Sequence, residues 1–156
     1  MIALAAFRES YDNGGAQSAM LHSGMRDLII ALHDAGAYVA VTTMKPRLIT
    51  EVILEQHDLP ASLDGVFAPT ADQASPNKSA LVAEALIAAR AAWAGEKSGV
   101  VVGDRADDMR AARLNCLDGV GVAWGFGAAA ELLQERPLEV ATSPLALATI
   151  LGVGKV

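Results

Sequence analysis

The chain has 156 residues, a formal charge of −6 and 53 % hydrophobic residues, with only 4 % aromatic. That length suits one domain with a sizeable core, and the acidic balance speaks against nucleic acid or an anionic membrane as the main partner. Cys116 is the single cysteine, so an internal disulfide is excluded and a reducing cytoplasm is the expected compartment. No apolar run reaches the length of a membrane span, and the start, MIALAAFRES, lacks the basic leader of a signal peptide.

In chain order, residues 2–13 read as a short helix closed by Asn13-Gly14-Gly15. Ser23-Gly24 opens an amphipathic helix with Met25, Leu28, Ile29 and Leu32 at i, i+3, i+4 and i+7, ended by Gly36. Residues 38–42 (YVAVT) form a strand that stops on the polar cluster Thr42-Thr43-Met44-Lys45-Pro46. Pro46 suits the first turn of a helix running to about His57 that buries Ile49, Val52 and Ile53. A short strand over residues 65–67 and a polar loop over 69–77 precede an alanine-rich helix from about Lys78 to Trp93. The run VVVG at 100–103 is the next strand, followed by a helix over 105–114 and a strand near 120–123. The turn Trp124-Gly125-Phe126-Gly127 leads to a helix near 128–135, and Val140-Ala141 forms a short strand before a helix over 145–151. Strands alternating with helices predict an α/β fold over residues 1–156, a Rossmann-like, doubly wound parallel sheet with helices on both faces.

The chemistry concentrates at VVVGDRADD. A buried parallel strand delivers Asp104 to its carboxyl end, where open α/β sheets place their ligands. Asp108 follows four residues later, about one helical turn, so both carboxylates can serve one site. The plainer alternative makes them helix-terminus residues that satisfy free N–H groups. Thr42 ends another strand on the same sheet edge, and Lys78 opens a helix, an awkward place for a cation unless an anion lies beside it. A hydroxyl, an ammonium and a carboxylate suited to a hard divalent ion make a phosphate–Mg²⁺ site of Thr42, Lys78 and Asp104. Thr42 could equally be an ordinary strand-end threonine and Lys45 a solvated surface lysine. His22, His33 and His57 show no metal-binding spacing. Cys116 reads as a buried thiol, Trp93 and Trp124 as packing residues, Arg105 as an exposed ion-pair partner, and Asp107 as solvated.

Taken together, VTTMKP with Thr42, SPNKSALVAEAL with Lys78, and VVGDRADD with Asp104 and Asp108 resemble the haloacid dehalogenase-like superfamily, and most of all its phosphoglycolate phosphatase-type branch. NCLDGVGVAWGFGAAAELL is similar to the segment that follows that family's acidic motif, FRESYDNGG to its last cap helix, and LHSGMRDLIIALHDAGA to the core helix after it. The resemblance implies Mg²⁺-dependent hydrolysis of a small phosphate ester. Thr42 and Lys78 would bind phosphate, Asp104 and Asp108 the metal, and Thr43 and Lys45 would stand on the substrate side.

The family's chemistry begins at a DxDx(T/V) motif, whose first Asp attacks phosphorus. These 156 residues contain no such motif; Asp12, Asp27, Asp34, Asp58, Asp64 and Asp72 each lack an Asp two residues on. The expectation is therefore a core that lacks its nucleophile strand and most of its cap, with residues 1–15 a cap remnant and no hydrolysis by this chain alone. In the family the missing strand lies between those ending in Thr42 and Asp104, so these two either pair directly, accept residues 2–7, or are completed by a second copy or another chain. Direct pairing or a homodimer is the favoured expectation. A non-catalytic binding or interaction module is the alternative function.

Overall fold

Short strands of three to five residues set between helical segments give an alternating order in the computed structural model, which describes residues 19–70, 77–92 and 98–153. The order is α1 (Met25–Asp34), β1 (Ala40–Thr42), α2 (Arg47–Gln56), a 3-10 turn (Pro60–Ser62), β2 (Gly65–Phe67) and α3 (Lys78–Ala92). Then follow β3 (Val100–Gly103), α4 (Ala106–Leu114), β4 (Asp118–Val122), α5 (Ala129–Gln134), β5 (Glu139–Ala141) and α6 (Pro144–Ile150). Every recorded strand pair is parallel, as the intervening helical crossovers require.

Strand pairing divides the sheet in two. β1 pairs with β2, Thr42 opposite Phe67, while β3, β4 and β5 form a second sheet with Gly103 opposite Gly121 and Val122 opposite Ala141. β1 and β3 share no ladder, so the expected direct pairing is corrected. The halves are joined by a helix instead, because α3 packs on β1, on β2 and on α4. Val100 and Val102 on β3 remain 41 % and 39 % exposed, whereas Val120, opposite Val102 on β4, is 0 % exposed. The segment 2–7 and the cap remnant 1–15 lie outside the described residues, as do Asp12, Asp72 and Trp93.

One core fills the space between the three-stranded sheet and the helices α1 and α6. Leu28, Val120, Val122, Ala141, Leu147 and Ala148 are buried there, with Met25, Leu32 and Trp124 packed around them. At about 1.5–3 kcal/mol per large buried apolar side chain, this cluster is a major stabilising contact. Ser143 caps α6, its hydroxyl accepting from Ala146 N at 3.1 Å.

Two local readings need correction. In α2 the buried residues are Thr50 and Leu54, while Val52 is exposed. Thr50 can turn inward because its hydroxyl donates to Pro46 O at 3.1 Å, and this rotates the buried stripe away from Val52. Pro46 sits just before the helix as its cap residue. Cys116 is exposed, not buried. The chain leaves α4 through Asn115, and Cys116 adopts φ 56°, a left-handed turn conformation after the helix end.

Candidate active site at the carboxyl ends of β1 and β3

β3 ends at Gly103, and a side chain there would collide with the side chain of Asp108. Asp104 comes next, and its Oδ2 accepts a hydrogen bond from Phe126 N at 2.7 Å. The turn that supplies this N–H folds tightly over Asp104. A Cβ on Gly125 would strike the Asp104 carboxylate, and one on Gly127 would strike the Asp104 main-chain carbonyl. Sequence reasoning treated Trp124-Gly125-Phe126-Gly127 as a connector and missed this role. The paired glycines around one aromatic were the available signal, since glycine permits close approach of two backbones.

Asp108 stands in the first turn of α4 and is 8 % exposed. Its Oδ2 accepts from Arg105 N at 3.2 Å, which satisfies a free N–H at the helix start. Its Oδ1 lies 2.8 Å from Lys78 Nζ. The helix-terminus role and the site role therefore belong to the same carboxylate, one oxygen each.

Lys78 begins α3, where the helix dipole disfavours a cation. Asp108 supplies the compensating anion, and Lys78 Nζ also donates to Thr42 O at 2.6 Å. The lysine therefore spans from the end of β1 to the start of α4, across the break in the sheet. Two further bonds fix its helix. Asn77 Oδ1 accepts from Ala80 N at 2.8 Å, the bond of a helix cap. Asn115 Nδ2, at the end of α4, donates to Ser79 O at 3.0 Å.

Thr42 thus takes part through its carbonyl. Thr43 N donates to Phe67 O at 3.0 Å, and Thr43 Oγ1 accepts from Lys45 N at 3.1 Å, a compact turn at the end of β1. The structure brings Thr42, Lys78 and Asp108 into direct contact and sets Asp104 on the same sheet edge, while Thr43 and Lys45 stand on the loop after β1.

The remaining candidates are structural. His22 meets Trp124 edge-on at 6.4 Å, and His57 Nε2 lies 3.0 Å from Ala19 O. Among the described residues, no three His, Cys, Asp or Glu residues cluster to hold a metal. Arg105 is exposed and makes no ion pair among the described residues. Asp107 pairs with Arg110 at 2.8 Å. Arg110 also reaches Glu135 at 2.6 Å and Arg113 reaches it at 2.9 Å, fastening the end of α5 to α4. The hydrogen bond from Arg110, helped by Arg113, holds the Glu135 carboxyl below its usual range.

Parallel strands with two carboxylates and a lysine gathered at their carboxyl ends define a Rossmann-like α/β protein. The chain belongs to the haloacid dehalogenase-like hydrolases, whose family pattern matches residues 2–113. It is 26 % identical over 142 residues to a phosphoglycolate phosphatase of Photobacterium profundum, covering 86 % of this chain and 58 % of that protein. It is 29 % identical over 127 residues to the tyrosine-protein kinase PtkA of Mycobacterium tuberculosis, covering 81 % of this chain and 43 % of that protein. The solved structure of that kinase matches with a TM-score of 0.80 and 27 % identity, over 97 % of this chain and 69 % of its own. A haloacid dehalogenase-like hydrolase of Streptococcus pneumoniae matches with a TM-score of 0.83 and 25 % identity, over 96 % of this chain and 68 % of its own. The chain spans 58 % and 43 % of the length of the two sequence relatives.

Proposed function

We infer that this chain carries the phosphate- and Mg²⁺-binding part of a phosphate-ester hydrolase site, and that the covalent nucleophile comes from a DxDx(T/V) strand outside these 156 residues. The observation that carries the reading is Lys78, whose ammonium lies between Thr42 O at 2.6 Å and Asp108 Oδ1 at 2.8 Å. That placement presents a positive charge at the sheet edge, where it would neutralise a phosphoryl group and the charge that develops on it in the transition state.

The donor set fits Mg²⁺, which binds proteins through one or two carboxylates and keeps waters and substrate oxygens in its remaining positions. Both oxygens of Asp108 are engaged, whereas Asp104 has Oδ1 without a hydrogen-bond partner among the described residues. Asp104 is therefore the direct ligand, and Asp108 holds Lys78 in place at its side. A bound Mg²⁺ supplies Lewis-acid stabilisation of a phosphoryl oxygen. Asp104 is kept oriented for it by Phe126 N, and Lys78 balances the remaining phosphate charge.

The substrate is a small phosphorylated molecule. Without the nucleophile the chain alone should turn over some 10⁴- to 10⁶-fold more slowly than a complete enzyme. The test is hydrolysis of 4-nitrophenyl phosphate with Mg²⁺ by the 156-residue chain, with and without a second polypeptide carrying a DxDx(T/V) strand. Turnover that needs the second polypeptide and vanishes in Asp104→Ala supports the reading. Turnover by the chain alone that vanishes in Asp104→Ala overturns the assignment of the nucleophile.

A second reading, a non-catalytic module that assembles with a copy of itself, rests on β1 and β3 each having a partner strand on one side only among the described residues, since a strand edge without a partner templates further pairing. A homodimer in sedimentation equilibrium, together with no phosphate binding, would favour it.

A further inference from the structure

Phe126 is 97 % exposed, the most exposed large apolar side chain among the described residues. Its main chain, by contrast, is held against Asp104. Phe126 N donates to Asp104 Oδ2 at 2.7 Å, and the glycines on either side press against Asp104 closely enough that neither could carry a Cβ. The main-chain N–H faces the carboxylate, and the ring is the part of this residue that projects into solvent beside Asp104. A mobile loop tip would leave such a ring without a defined position. Here its origin is fixed by a charge-assisted hydrogen bond and two close approaches. Ala128, Ala129 and Ala130 follow it and are exposed, so small side chains leave the space around the ring open. One ring is far too little for a protein interface, which needs roughly 800 Å² on each partner. It matches the apolar part of one small molecule.

We propose that Phe126 is a specificity-determining residue that packs on the organic group of the phosphate ester, so that the site prefers esters carrying an aromatic or apolar group next to the phosphate. This rests on the phosphate-binding reading of Lys78 and Asp104. On that reading the phosphoryl group approaches Asp104 and Lys78, and the ester's organic part would reach the ring of the residue whose N–H holds Asp104. Aromatic contact adds to simple area burial, because ring faces and edges attract one another.

The experiment compares phenylphosphonate with methylphosphonate, both non-hydrolysable, by calorimetric titration of the chain with Mg²⁺ present. The readout is binding, so it does not depend on a nucleophile. The wild type should prefer phenylphosphonate by about tenfold, the worth of one favourable aromatic contact with its buried area. Phe126→Ala should abolish that preference and Phe126→Tyr should keep it, while Lys78→Met should lose both ligands. An unchanged preference in Phe126→Ala, with phosphonate binding intact, overturns the role of the ring and leaves the phosphate site standing. Equal loss of both ligands in Phe126→Ala, with the fold intact by circular dichroism, also overturns it, since the residue would then act through the turn alone. Binding of neither ligand by the wild type removes the phosphate-site reading and this inference with it.

Discussion

Lys78 and Asp108 form an ion pair whose side chains are 17 % and 11 % exposed, partly buried and with each member engaged elsewhere as well. Removing one member strands the other, and that penalty exceeds the net worth of the pair. Lys78→Met should therefore destabilise by about 2 kcal/mol, and the double variant Lys78→Met with Asp108→Asn by less than the two single variants summed. Urea unfolding of all four proteins checks this, and simple additivity would contradict the pairing. Gly127→Ala and Gly125→Ala set two effects against each other. Alanine restricts the unfolded chain and favours folding by about 0.5 kcal/mol, but the new methyl overpacks against Asp104 at a cost of about 1–3 kcal/mol. The clash wins at both positions. It should be larger at Gly127, where the obstacle is main chain and cannot rotate away. Unfolding midpoints in urea rank the two variants.

Among the elements, α5 is a short helix whose position depends on Glu135, held by Arg110 and Arg113 of α4. Because the folded-state pKa of Glu135 is depressed, the unfolded chain takes up its proton first as pH falls. The stability from this clamp is complete above the ordinary carboxylate value of 4.5 and is lost as pH drops through the lowered folded value. Thermal unfolding below pH 4.5 should then show a shallower pH slope in Glu135→Gln than in the wild type. The elements also show what the sequence could express. VVVG followed by Asp104 was legible because three valines ending in glycine admit few alternatives, and Lys78 stood out as a cation where the dipole opposes one. The inward turn of Thr50 was not legible, because it depends on a hydroxyl finding the carbonyl of Pro46. Nor was the outward Cys116, since apolar neighbours in sequence say nothing about a left-handed residue after a helix. Phe126 N on Asp104 escaped for a related reason: a main-chain donor leaves no mark on residue type.

At the scale of the molecule, the sheet is divided between β1–β2 and β3–β4–β5, and α3 spans the division. The division could not be read from the sequence, because strand pairing is a long-range property and periodicity is a local one. β4 is hydrogen-bonded on both sides, whereas β1 has one recorded partner strand. Protection from exchange follows such differences in local support. Amide hydrogen exchange should be slowest in β4, at Val120 and Val122, and distinctly faster in β1, at Ala40 and Val41. Equal protection in the two strands would contradict this picture of a strong three-stranded half joined to a weaker pair.

The close contacts around Asp104 and Asp108 also bear on how such a sequence ages. Gly103, Gly125 and Gly127 have no room for a Cβ, Asp108 satisfies a helix start, and Lys78 ties two strand systems together. A random library selected only for a folded product, with no demand for phosphate chemistry, should still return the three glycines. The glycines of GDxxxD and WGFG therefore record a way of folding, independent of any chemistry done at Asp104.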